Sequence, residues 1–138
     1  MFKDFVQSIN IPANVVRDML DHAREAAPRE CCGLLIGKDD SIVRSVRARN
    51  LDSKATLYLI NPEDHFSAIR SARAEGLEVI GAYHSHPSSA PVPSPTDVAE
   101  ANSGADFVYV IVSLLDDAVC AYRINGGVYK PLALSPKP

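Results

Sequence analysis

His84-Ser85-His86-Pro87 sets two imidazoles two residues apart, and Asp97 follows eleven residues after the second. Residues i and i+2 of a strand point to the same face, so both rings can converge on one metal ion. Two neutral imidazoles and a carboxylate form an open ligand set for catalytic zinc, with water in the fourth position. Each part also has an ordinary reading. A histidine pair at a strand end is as often hydrogen-bonded surface or core. Ser94-Pro95-Thr96-Asp97 is a helix start by sequence rules alone: Ser as N-cap, Pro at the first position, an acid in the first turn. Glu30, taken alone, reads as a solvated charge.

Other chemistries find less support. The chain has neither a His-Glu-x-x-His helix motif nor the Cys-x-x-Cys pair of a zinc deaminase. The seven glycines, at 33, 37, 76, 81, 104, 126 and 127, build no phosphate loop and no dinucleotide fingerprint. Cys31, Cys32 and Cys120 fall in apolar runs and read as small buried hydrophobes rather than nucleophiles. His22 and His65 lie in helical patterns, as surface or packing residues.

The elements that must position these residues alternate between helix and strand. After a short apolar segment (Phe2 to Ile9), Val15, Met19, His22 and Ala26 recur at helical spacing, and Pro28 closes that helix. Cys31 to Gly37 reads as a strand buried on both faces, turning through Lys38-Asp39-Asp40 into Ile42 to Ala48. Thr56 to Ile60 is a further strand candidate. Asn61-Pro62 opens a helix that runs to Gly76, and Leu77 to Tyr83 is a strand. Ser85 to Pro95 holds prolines at 87, 91, 93 and 95 and reads as an irregular loop. A short helix follows, ended by Gly104. Phe107 to Leu115, Ala118 to Ile124 and Val128 to Leu134 then form an antiparallel meander through turns at Asp116-Asp117 and Asn125-Gly126. The expected architecture is a mixed α+β sheet flanked by helices, in one domain over residues 1–138.

Composition agrees with an ordinary globular domain: 138 residues, 46% hydrophobic, 22% charged. A formal net charge of −3 gives no support to a nucleic-acid or anionic-membrane partner. The N-terminus shows no signal-peptide pattern, and three cysteines, two of them adjacent, draw no disulfide framework. A cytoplasmic protein with reduced thiols is expected.

The whole spacing resembles the JAMM (MPN+) metalloprotease family. Its signature is an upstream Glu, then His-Ser/Thr-His-Pro, seven residues, Ser, two residues and Asp. Here Glu30, His84-Ser85-His86-Pro87, Ser94 and Asp97 match it, with seven residues between His86 and Ser94. Pro28 to Gly37 is similar to the family's Glu-bearing strand, and the order of elements from Val15 to Ile124 is similar to that of compact prokaryotic members. The resemblance implies a curved mixed sheet related to the cytidine-deaminase-like architecture. It implies that His84, His86 and Asp97 bind one Zn²⁺ carrying a water, that Glu30 is the general base, and that Ser94 donates to the oxyanion. It further implies hydrolysis of the peptide or isopeptide bond after the C-terminal Gly-Gly of a ubiquitin-like or sulfur-carrier protein, releasing an extension or an amino acid such as cysteine. A homodimer is left open. A catalytically silent MPN scaffold and a zinc hydrolase of a small molecule are the alternatives.

Overall fold

The computed structural model describes residues 7–52 and 58–136. Helix α1 (Ala13–Ala26) starts after Pro12, whose φ of −67° suits the entry to a helix. Val15, Met19 and Ala23 recur four apart and are buried, so one stripe of the helix faces the sheet. Helix α2 (Pro62–Ala74) begins as the sequence predicts: the Asn61 side chain accepts from the backbone N–H groups of Glu63 and Asp64 at 2.9 and 3.2 Å. Helix α3 (Pro95–Glu100) is only six residues long and stops short of Gly104.

The strands are β1 (Ser8–Asn10), β2 (Cys32–Lys38), β3 (Ser41–Ala48), β4 (Glu78–His86), β5 (Val108–Ser113), β6 (Ala118–Asn125) and β7 (Val128–Ser135). Their order is β1-β3-β2-β4-β5-β6-β7, closed into a barrel by β1. The sheet is mixed and flanked by helices, as expected. Closure comes from a three-residue strand in the segment that reads only as apolar: β1 pairs parallel with β7 through Ser8 to Asn10 and touches β3 at Asn10–Ser41.

Three details differ from the sequence reading. The candidate strand at Thr56 to Ile60 lies partly outside the described residues, and what is described of it forms one isolated bridge, Asn50 to Ile60. Strand β4 continues through Ser85 and His86, because β5 pairs with it in parallel as far as His86–Ser113. The last hairpin turns on Gly126 and Gly127 rather than Asn125-Gly126. Their φ values of +63° and +79° match a two-residue turn that needs both central residues left-handed.

Alternation along the strands divides the core. Leu35 and Tyr83 join Val15, Met19 and Val110 beneath α1, whereas Leu34, Ile36 and Ala82 pack with Ala68 and Ala72 of α2. Val98 and Ala101 cover Tyr109, Ile111 and Tyr122 beside α3. His84 and His86 lie two and four residues beyond Ala82 and so share its face. They stand at the C-terminal end of a strand whose connection to its parallel neighbour runs through α3, a usual place for ligands in α/β sheets.

Candidate metal centre

His84 Nε2, His86 Nε2 and Asp97 Oδ2 form a triangle with all three edges 3.1 Å. Tetrahedral zinc with bonds of ~2.0–2.2 Å sets its ligand atoms about 3.3–3.6 Å apart, so the triangle accepts one such ion above its plane by opening a few tenths of an ångström. The burial is deep: His84 is 2% and His86 5% exposed. Nδ1 of His86 lies 2.8 Å from the Ala90 carbonyl, which fixes that nitrogen as the donor and leaves Nε2 as a lone pair toward Asp97. Two ring nitrogens and a carboxylate oxygen this close need a cation or a proton among them. The donor set therefore fits a metal ion, and it is the group of metal-ligating side chains found among the described residues.

Electrostatics follow the same geometry. Burial drives the His84 imidazole toward its neutral form, outweighing the pull of Asp97. Burial also acts against charge on His86, but the bonds to Asp97 and the Ala90 carbonyl outweigh it and raise its pKa. Burial would raise Asp97, yet the two imidazoles hold its carboxyl far below the usual carboxylate range.

Asp97 owes its place to a helix cap. Ser94 Oγ accepts from the Asp97 N–H at 3.0 Å, and Asp97 Oδ2 accepts from the Ser94 N–H at 2.9 Å. The ordinary reading of this segment and the metal reading thus coincide in one carboxylate. A hydroxyl has one donor besides its acceptor lone pairs, so capping leaves the Ser94 O–H proton for another partner.

Glu30 is not a solvated charge. It is 7% exposed, and its Oε1 is buried without a hydrogen-bond partner. The antiparallel register Cys32–His84 brings the start of β2 alongside the end of β4. Burial pushes the Glu30 carboxyl up to about 7, with Asp97 and Asp52 adding to the rise and His86 opposing it. A buried carboxylate oxygen with no hydrogen-bond partner, within electrostatic reach of His86 and Asp97, keeps a lone pair available to accept a proton.

Sequence reasoning missed Tyr58. Its ring stacks on His84 with centroids 4.4 Å apart and planes 19° from parallel, closing one side of the imidazole. The sequence reading holds it only as part of the strand candidate Thr56 to Ile60, and nothing in residue spacing marks its contact with His84. The Pro-rich loop is also better fixed than its composition suggests. Ser113 Oγ donates to Ser89 O at 2.7 Å, His86 Nδ1 meets Ala90 O, and Tyr122 OH donates to Pro91 O. Three consecutive carbonyls are tied down just before Ser94. Cys31 and Cys32 are buried free thiols, and burial raises both pKa values, in keeping with packing roles. His22 Nδ1 lies 2.7 Å from Tyr83 OH on the opposite side of the sheet, and the structure does not bring it or His65 to the triangle.

Comparison with known proteins agrees with this geometry. The family model for prokaryotic homologs of the JAB domain matches residues 12–125. The chain is 35% identical to a desampylase of Haloferax volcanii, covering 92% of this chain and 95% of that protein. It is 32% identical to a CysO-cysteine peptidase of Mycobacterium tuberculosis, covering 91% and 88%. A solution structure from Desulfitobacterium hafniense superposes with a TM-score of 0.83 at 28% identity, covering 91% of this chain and 90% of that one. With a family model spanning most of its length and relatives matched nearly end to end, the chain belongs to the prokaryotic JAB domain family, the JAMM/MPN group of peptidases.

Proposed function

We propose that this protein is a zinc-dependent peptidase or isopeptidase that cuts after the C-terminal Gly-Gly of a ubiquitin-like or sulfur-carrier protein, acting as a single domain over residues 1–138. The observation that carries the reading is the buried, unpartnered Glu30 carboxylate beside the His84–His86–Asp97 triangle. The relatives named desampylase and CysO-cysteine peptidase support the substrate class. Among the described residues no helix is long and apolar enough to cross a membrane, and the three cysteines are free. A reducing cytoplasm suits both.

His84, His86 and Asp97 would hold the ion. When bound there, zinc supplies Lewis acidity, making water acidic near neutral pH and polarising the scissile carbonyl. Glu30 accepts the proton of the attacking water and delivers it to the leaving amine. The Ser94 O–H, not used as a donor by the cap, would donate to the oxyanion. The Ala90 carbonyl keeps His86 in the tautomer that offers Nε2. A silent scaffold would be expected to lack a donor, and Glu30, His84, His86, Ser94 and Asp97 are all in place.

A Gly-Gly tail has almost no side-chain surface, so it must be held as an extended strand by backbone hydrogen bonds in a narrow channel. Incubation with a sulfur-carrier protein ending in Gly-Gly-Xaa should remove the extension, read as intact mass. Replacement of the penultimate Gly by Leu should block the reaction. Cleavage of the Leu variant or of unfolded peptides at a comparable rate would make this a general peptidase.

A further inference from the structure

Ser85 is the one residue of the His84-Ser85-His86-Pro87 run with a polar side chain and no part in the site. Alternation turns it to the opposite face of β4, where it is fully buried on the side of Cys31 and Tyr83. A hydroxyl in such surroundings is costly unless it is hydrogen-bonded.

Its oxygen accepts from the backbone N–H of Cys31 at 2.8 Å, and the hydroxyl also meets the Cys31 thiol. Ser85 N in turn donates to Cys31 O at 3.1 Å. The side-chain oxygen thus takes the donor that a main-chain carbonyl would take in a regular antiparallel ladder. The other polar atom of the same peptide group, the Glu30 carbonyl oxygen, accepts from Asn50 Nδ2 at 3.0 Å. A peptide group is planar, so holding its N–H and its C=O from two different elements fixes its orientation about the chain axis. That orientation sets the backbone torsion through which the Glu30 side chain leaves the chain. Glu30 itself stands before the first residue of β2 and is outside the regular ladder.

We propose that Ser85, with Asn50, is a positioning residue: it clamps the Glu30–Cys31 peptide and so aims the Glu30 carboxylate at the His84–His86–Asp97 triangle. The inference rests on Glu30 being the base of the proposed reaction. It explains why a buried serine lies between two histidines whose side chains face the other way. Asn50 Oδ1 also accepts from Asp52 N and Leu59 N, which makes Ser85 the cleaner residue to change.

The test uses Ser85→Ala, the near-isosteric Ser85→Cys, and Ser85→Thr, which keeps the hydroxyl. Zinc content of the Ala and Cys variants should match wild type, and both should fold with a melting temperature lowered by the unpaired Cys31 amide. Their kcat on a Gly-Gly-Xaa carrier should fall about 10- to 100-fold with KM unchanged, as for a displaced catalytic group. The Thr variant should regain most of that rate. Placed on Glu30→Gln, the Ser85 changes should cost nothing further. Hydrogen exchange of the Cys31 amide should speed up in Ser85→Cys without substrate. Full kcat in Ser85→Cys, an equal fractional loss on the Glu30→Gln background, zinc lost in parallel with rate, unchanged Cys31 protection, or failure of both Ala and Cys variants to fold would each overturn the positioning role. An inactive wild type would instead refute the functional reading, and Cys31 exchange would still decide the clamp.

Discussion

Asp97 caps the helix that Ser94 starts, and through the same Oδ2 oxygen it faces His84 and His86 at 3.1 Å each. The first turn of α3 and the ligand triangle are therefore one construction: whatever orients the cap orients the third donor. Its two members separate by mutation. Ser94→Ala should cost about 0.5–2 kcal/mol of stability as a lost cap. If the O–H also meets the oxyanion, kcat falls by about 10²- to 10³-fold besides. Ser94→Asn restores the cap and the melting temperature but not the rate. Steady-state kinetics beside thermal melts check this, and a fully active Ser94→Ala removes Ser94 from the reaction.

Glu30→Gln should keep zinc bound and lower turnover about 10²-fold or more, since the ligand set is untouched while the proton acceptor is gone. Metal analysis and kcat on the same preparation decide it. Loss of zinc together with rate would make Glu30 a ligand.

Tyr58→Ala should weaken zinc binding about 10-fold, the lower end for an outer partner of a metal ligand, because it unstacks the ring that closes one side of His84. Tyr58→Phe keeps the ring and should bind zinc as wild type does. Competition with a chelator reads both. Equal affinities in the Ala and Phe variants would contradict the stacking role.

His22 gives a pH dependence away from the site. Burial lowers its pKa to about 4, with Arg47 adding to the fall and Glu25 opposing it. Between about pH 6.5 and 4 the unfolded chain takes up a proton at this residue that the folded chain refuses. Its contribution to stability is thus whole above pH 6.5 and declines as pH falls toward 4. Urea midpoints across that range should drop less for His22→Gln than for wild type. Parallel curves would show that His22 titrates alike in both states.

How much of this was legible in the sequence depended on the range of the interaction. The convergence of His84 and His86 follows from strand alternation, and the cap at Ser94–Asp97 follows from local rules; both are fixed by residues a few positions apart. The approach of Glu30 is not local. It depends on the Cys32–His84 register across fifty residues, and only the resemblance to a family signature pointed to it. Tyr58 falls within the strand candidate Thr56 to Ile60, and its stacking on His84 is a contact between distant segments that local spacing does not encode. Closure of the sheet by Ser8 to Asn10 was also unreadable: three residues give no alternation to count, and their pairing with β7 spans nearly the whole chain. The Pro-rich segment reads as an irregular loop, and its restraints, from Ser113 and Tyr122, come from other strands and leave no local mark.

The proposed reaction stands on the His84–His86–Asp97 triangle being a catalytic zinc centre. Its most direct test is a titration: chelator-stripped protein is loaded stepwise with zinc while the intact mass of a Gly-Gly-Xaa carrier is followed. No cleavage is expected at zero zinc, with activity rising in proportion to metal to an end point at about one zinc per chain. Cleavage by the stripped protein, or a protein that takes up no zinc at neutral pH, would contradict it.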